Sequence, residues 1–236
     1  MLILGVDTSG KNGSIALVRC EAGEERTIEI VPLEGGTFSA QLVPQISELL
    51  KKHNLAKDDI DAFAVASGPG SFTGLRVGLA AIKALAEILH KPIAAVSLLE
   101  AIARAAATQG RVFSALDAGR ADVYCGEYHI SGQSSHSSAT ADGINARLIA
   151  EQLLSMQEFL TRAKDTLVAT PDEKIAELAH HSNLQITQVT RPKADAIARF
   201  GFEKIQAGET VSPEHLDANY IRRSDAETQK SSSALR

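Results

Sequence analysis

The run Ser67-Gly68-Pro69-Gly70-Ser71-Phe72-Thr73-Gly74 constrains this chain more than any other stretch. It follows a short apolar segment, residues 62–66, and opens a long helical pattern over residues 73–90. Gly68, Gly70, Gly74 and Gly78 therefore straddle a strand-to-helix junction. Glycine permits positive φ and close backbone approach, and a helix start presents free N–H groups. The junction suits a helix packed tightly on its strand, or an anion held at the helix start. Two familiar nucleotide loops are excluded. A Walker loop needs Gly-Lys-Ser/Thr, whereas Leu75 and Arg76 follow Gly74. A dinucleotide fingerprint needs glycine where Thr73 stands.

The helix at residues 73–90 carries an excess of apolar surface. Its main polar residues, Arg76, Lys83, Glu87 and His90, fall within an arc of roughly 60° at ~100° per residue. A helix covering one face of a sheet needs an apolar arc only a little over ~100° wide. Something besides its own sheet should cover the remainder. Gly74 and Gly78, continued by Ala81 and Leu85, offer a surface that admits close helix approach. Either a helix of another subunit packs there, or the chain's own second half does.

Around this junction the pattern is that of an α/β chain. Residues 2–6 are an apolar strand ended by the turn-forming Asp7-Thr8-Ser9-Gly10, and residues 13–19 resume as a strand, which makes a hairpin. Residues 25–31 alternate as a third strand. Residues 39–53 are helical, with Leu42, Ile46, Leu49 and Leu50 on one face and Ser39 as the expected N-cap. Residues 92–96 read as a strand, and Ser97 caps a helix to about residue 107. The order β-β-β-α-β-α-β-α implies a mixed sheet with crossover helices. From Arg111 the strand-turn-strand opening recurs, with residues 112–116 and 122–128 flanking Asp117-Ala118-Gly119-Arg120. Helical patterns follow at 146–164, 172–180 and 194–207, with short strands at 167–169 and 184–189. Residues 131–143 are Ser-rich and are expected to form a flexible loop. The expected division is an N-terminal lobe over 1–108, a C-terminal lobe over 109–223 and a disordered polar tail over 224–236.

The matching turns, Asp7-Thr8-Ser9-Gly10 and Asp117-Ala118-Gly119, read either as facing phosphate loops or simply as good turn formers. Little else marks catalysis. None of the seven histidines forms H-x-x-x-H or H-E-x-x-H, no serine stands in G-x-S-x-G, and no Cys–His pairing can be read. No catalytic residue, no metal ligand and no certain cofactor is assigned. A formal net charge of −5 argues against a broad basic surface that would hold nucleic acid unaided. Cys20 and Cys125 stand far apart without C-x-x-C spacing, which points to a reducing compartment. No apolar run approaches ~18 residues and the start lacks a signal pattern, so a cytoplasmic protein without membrane contact is expected. With no Trp and 4% aromatics, the core must be aliphatic.

Four segments then combine: LILGVDTS from Leu2, GPGSFTGLRVGLA from Gly68, LDAGRADVY from Leu116 and NYIR from Asn219. In order and spacing they resemble the TsaB family, also called YeaZ, over about residues 1–223. The resemblance implies an α/β, actin-like (ASKHA, ribonuclease H-like) two-lobe fold with mixed sheets. It further implies a non-catalytic subunit that pairs with and activates a TsaD-type transferase, which places threonylcarbamoyl on the adenosine beside the tRNA anticodon. A TsaE-type ATPase joins such an assembly, tRNA is reached through the complex, and ATP or ADP is a candidate ligand once it has assembled. The partner interface implied by the resemblance comprises Leu42, Ile46, Phe72, Gly74, Val77, Gly78, Ala81 and Leu85. Candidate phosphate-loop residues are Asp7, Thr8, Ser9, Gly10, Asp117 and Gly119. Two departures from the family pattern stand out. Phe38-Ser39 replaces the His-Ser of many relatives, and Phe38 cannot ligate a metal. Gly119 replaces an arginine of the common Asp-Ala-Arg-Arg, which removes a side chain from the second turn. A stand-alone actin-like ATPase and a homodimeric scaffold are the alternatives, with a peptidase the weakest.

Overall fold

A computed structural model of the chain describes residues 1–21, 24–132 and 145–221. The Ser-rich loop, apart from Ser131 and Gly132, and the polar tail over 224–236 lie outside the described residues. The first sheet holds β1 (Leu2–Asp7), β2 (Asn12–Glu21), β3 (Glu24–Glu34), β4 (Ala62–Gly68) and β5 (Ile93–Ser97) in the order β3-β2-β1-β4-β5. The second holds β6 (Gly110–Gly119), β7 (Asp122–Ser131), β8 (Asn145–Ser155), β9 (Leu167–Thr170) and β10 (Ile186–Gln188) in the order β8-β7-β6-β9-β10. In each sheet the first three strands are antiparallel and the last two join in parallel. One topology is thus used twice, and the chain is an α/β protein of the actin-like, ribonuclease H-like two-lobe type.

The central strands β1 and β4 are buried at every residue, as continuous apolar runs in a sheet covered on both faces should be. On one face lie α1 (Phe38–Lys52) and α2 (Phe72–Leu89). Leu4, Val6, Leu42, Ile46, Leu49, Leu75, Leu79 and Ile82 form the core between. On the other face Ile3, Ala16, Val18, Ala62 and Ala64 pack against α3 (Leu98–Ala105) and α6 (Ala194–Gln206). Ser97 ends β5 and caps α3, its hydroxyl accepting from the Leu99 and Glu100 amides at 3.2 and 3.5 Å. The second sheet is flanked by α4 (Met156–Arg162) and α5 (Glu173–His181).

Three expectations are corrected. Residues 146–164 do not form one helix: β8 occupies Asn145–Ser155 and pairs antiparallel with β7, and only Met156–Arg162 is helical. The apolar spacing suits a helix, but β7 needs a partner on its outer edge, and Ser155 marks the helix start. It builds a capping box with Glu158, whose amide donates to Ser155 Oγ at 3.3 Å while the Ser155 amide donates to the Glu158 carboxylate at 2.9 Å. Ser39 is not the cap of α1: the helix begins at Phe38 after Thr37, which makes no side-chain cap hydrogen bond. Finally, the chain after β10 does not stay with the second sheet. Helix α6 returns to pack on β1, β2, β4 and β5, the Ala194 amide donates to Ser14 Oγ at 3.0 Å, and Leu216 enters the core of the first lobe. The reason is coverage. The eight residues of α3 leave most of that apolar sheet face bare.

Candidate functional site

The glycine junction and the first turn are one construction. β1 delivers Asp7 to the end of its ladder, opposite Ser14 on β2. Asp7, Thr8 and Ser9 are buried. The Ser9 amide and hydroxyl both donate to Asp7 Oδ1, at 2.9 and 2.5 Å. Thr8 Oγ1 donates to the Gly74 carbonyl at 2.7 Å, and the Ser71 amide to the Ser9 carbonyl at 2.7 Å. A Cβ at Gly74 would stand 2.1 Å from the Thr8 carbonyl oxygen, and one at Gly78 2.3 Å from Thr8 Oγ1. These glycines are present so that the first two turns of α2 can lie directly on the Asp7–Ser9 turn. Ser71 Oγ caps the helix, accepting from the Gly74 amide at 3.3 Å.

The two turns meet across a cleft of about 520 Å³. Ser9, Gly10, Lys11 and Asn12 line one side, Leu116, Asp117, Ala118, Tyr124 and Asp172 the other, with Pro69–Ser71 and Arg191 between. Gly119 is not part of the lining; it has φ +70° and donates its amide to Asp117 Oδ1 at 2.8 Å, which shapes the turn. Asp172, unmarked in the sequence, accepts the Asp117 amide at 2.6 Å. Arg191, also unmarked, reaches Ser9 Oγ at 3.5 Å. Both are remote in sequence from the motifs: the parallel pairing of β9 with β6 brings Asp172 beside Asp117, and the crossing from β10 to α6 brings in Arg191.

Burial pushes the Asp7 carboxyl above the usual carboxylate range, while the two Ser9 hydrogen bonds and the Arg191 charge pull the other way. Ser9 is 2% exposed, and its hydroxyl is taken up by Asp7 and faces Arg191 at the edge of the cleft. Among the described residues no group of three or more His, Cys, Asp or Glu is placed to hold a metal ion. Phe38, at the position of the family's histidine, is buried against Gly13. Lys11 and Arg191 bring two cations to the cleft, on the side of the Ser9–Gly10 turn, and Asp117 and Asp172 bring two carboxylates to the opposite side.

The second candidate surface is the outer face of α1 and α2. Of the residues expected at a partner interface, Leu42, Ile46 and Gly78 are buried in the chain's own core, and Gly74 is buried but borders an open pocket together with Val77. Periodicity identifies an apolar side of a helix but not which part of it meets the sheet. Val77, Ala81 and Leu85 are half-buried, on the side toward α1. Phe72 is exposed. The residues that the sequence reading missed are Val43, 53% exposed, Ile88, 70% exposed, and the exposed Ala80 and Ala84. At ~100° per residue Ala80, Ala84 and Ile88 occupy an arc between the polar residues of α2 and its contact with α1. The excess apolar circumference is therefore covered in part by α1 and left open along this strip. Of the C-terminal motif, Asn219 and Tyr220 lie against the glycine junction, the Asn219 amide donating to the Ser67 carbonyl at 2.7 Å, and Ile221 packs on the core between the first sheet and α3 and α6. Arg222 lies outside the described residues.

The sequence model of the family described as TsaD, tRNA N6-adenosine threonylcarbamoyltransferase, matches residues 30–209. The chain is 29% identical to the tRNA threonylcarbamoyladenosine biosynthesis protein TsaB of Bacillus subtilis, the match spanning 96% of each protein. It is 28% identical to the TsaB protein of Escherichia coli, over 94% of this chain and 95% of that one. A solved Pseudomonas aeruginosa protein described as similar to the peptidase YEAZ superposes with a TM-score of 0.70 at 26% identity, covering 94% of this chain and 99% of the other. With both lobes, the glycine junction and the paired turns covered by these matches, the chain belongs to the TsaD family and, within it, to the TsaB (YeaZ) group.

Proposed function

We propose that this chain is a non-catalytic subunit of tRNA threonylcarbamoyladenosine biosynthesis that binds and activates a TsaD-type transferase through the outer face of α1 and α2. The observation that carries the reading is the exposed apolar strip of Ala80, Ala84 and Ile88 on α2, with the exposed Val43 on the adjoining helix α1. Exposed apolar residues gathered on one face suit a protein interface. The names borne by the Bacillus and Escherichia relatives supply the pathway. In this reading the lobe built on residues 1–108 binds the partner, tRNA and a TsaE-type ATPase are reached through the assembly, and the protein works in the cytoplasm. A homodimer through the same face competes with the heteromer. No helix among the described residues is long and apolar enough to cross a membrane.

The test is reconstitution. The TsaD-type transferase of the same organism is assayed for threonylcarbamoylation of tRNA with and without this chain. The expected outcome is modified tRNA that rises with added chain, and none from the chain alone. Equal product in its presence and absence would sink the proposal. The cleft supports a second, dependent reading, since Lys11 and Arg191 flank the turn at Ser9–Gly10: ATP or ADP binds there in the assembled complex. Arg191→Ala should then weaken binding of a fluorescent ADP to the complex about tenfold, a charge-assisted contact being worth ~1.5–3 kcal/mol.

A further inference from the structure

At the N-terminal end of α2 a single cation is held in place from two sides. The Arg76 guanidinium carbon lies 3.7 Å from the centroid of the Phe72 ring, one turn earlier on the helix. Its Nε donates to the Tyr220 hydroxyl at 3.0 Å. The Phe72 and Tyr220 rings pack with centroids 5.2 Å apart. All three side chains are exposed, Phe72 at 42% and Tyr220 at 36%.

Tyr220 is itself held. Its neighbour Asn219 is bonded through the backbone to Ser67 at the end of β4, and its side-chain amide donates to Glu151 on β8. The other oxygen of Glu151 accepts the hydroxyls of Ser97 and Tyr128. The strap carrying Tyr220 is thus tied to both sheets, and the aromatic half of the cluster is fixed by the fold.

What the cluster lacks is an acid. Among the described residues no carboxylate lies within ion-pair distance of Arg76. Arg104, Arg111, Arg162 and Arg199 each stand within ion-pair distance of a glutamate. Among the described residues Arg19, Arg26, Arg147 and Arg191 likewise have no carboxylate within that distance; what sets Arg76 apart is a guanidinium held against an exposed ring. An ordered arginine has already lost much of its rotamer freedom, so a partner that meets it gives up little further entropy. Arginine and aromatic residues are also the side chains that most often dominate protein interfaces.

We infer that Phe72, Arg76 and Tyr220 form the charged anchor of the docking face, and that Arg76 receives a carboxylate of the catalytic partner. The inference rests on the docking reading above and adds to it a residue outside the two helices, Tyr220, and a chemistry for the partner's surface. Continuity favours a protein over RNA. Ala80 lies one turn beyond Arg76 on the same helix and begins the apolar strip, whereas a phosphate backbone would call for clustered cations.

Calorimetric titration into the TsaD-type partner of the same organism, at low and high salt, separates the outcomes. Arg76→Ala should weaken binding about tenfold or more and flatten its salt dependence. Arg76→Lys should keep the salt dependence and lose part of the affinity. Tyr220→Ala should weaken binding almost as much as Arg76→Ala, Tyr220→Phe about threefold, and the Arg76→Ala/Tyr220→Ala double variant no more than Arg76→Ala alone. Melting temperatures are measured for every variant, because a merely structural role would make affinity follow stability and leave the salt dependence unchanged. If the wild type binds and Ile88→Glu abolishes binding, yet Arg76→Ala binds as the wild type does, the anchor is wrong and the docking face stands. If the wild type does not bind, both fall. Should Arg76→Ala leave the partner's affinity intact and instead weaken binding of fluorescent tRNA to the chain alone, the anchor is overturned in favour of a phosphate contact.

Discussion

At Gly78 a methyl group has no free space, because Thr8 Oγ1 would stand 2.3 Å from it and is itself committed to the Gly74 carbonyl. Overpacking of this kind costs about 1–3 kcal/mol. Gly78→Ala should therefore lower the melting temperature by about 5 °C, measured by calorimetry, and the change should come from the chain alone, without any partner. A variant as stable as the wild type would mean that Thr8 can turn away. Asp7 offers a pH test at the same site. Its folded-state pKa is raised by burial, so the stability it contributes is complete below the unfolded value and is lost as pH rises through the folded one. Asp7→Asn keeps an acceptor oxygen for Ser9 and carries no charge. Its melting temperature relative to wild type should become more favourable between about pH 4 and neutral pH. A difference that falls over this range would show that the Ser9 and Arg191 contacts outweigh burial.

Between elements, what a sequence shows depends on whether local pattern and packing agree. Residues 2–6 and 62–66 are legible as strands, which the structure extends to Asp7 and Gly68, because continuous apolar runs bounded by turn formers admit few other structures. Residues 145–155 are not, because their apolar spacing also suits a helix and only the open edge of β7 decides for a strand. The same limit applies to α2. Its excess of apolar surface is plain in the sequence, but Gly74 and Gly78 mark the side seated on Thr8, and the open strip lies elsewhere. Ala84→Arg, on that strip, should leave stability within about 0.5 kcal/mol of wild type, as exposed helix positions do. Hydrogen exchange in α1 and α2 should slow when the partner is added, while β8 should not change. Protection confined to β8 would place the partner on the other lobe.

For the whole molecule, the recurrence of strand, turn and strand at Arg111 is the visible trace of the duplicated topology. The return of α6 to the first sheet leaves no such trace, since an amphipathic helix states that it needs a surface but not which one. Arg191 is hidden for a related reason, since it enters the cleft on the segment that crosses from β10 to α6, whereas Asp172 reaches Asp117 through the parallel pairing of β9 with β6. That crossing makes the first lobe dependent on the end of the chain. Ile197 is fully buried between α6 and the first sheet, so Ile197→Asp should abolish the cooperative thermal transition of the protein, a lone buried charge costing several kcal/mol. A retained transition would mean that α3 suffices to cover the sheet.

The central claim is that the outer face of α1 and α2 binds a TsaD-type subunit. Its most direct test is the light-scattering mass of this chain mixed with that subunit from the same organism, for the wild type and for Ile88→Glu. The account predicts a heteromeric species with the wild type, lost in a variant that melts at the same temperature. A heteromer of undiminished stability with Ile88→Glu would contradict the placement of the interface, and no heteromer with the wild type would contradict the function.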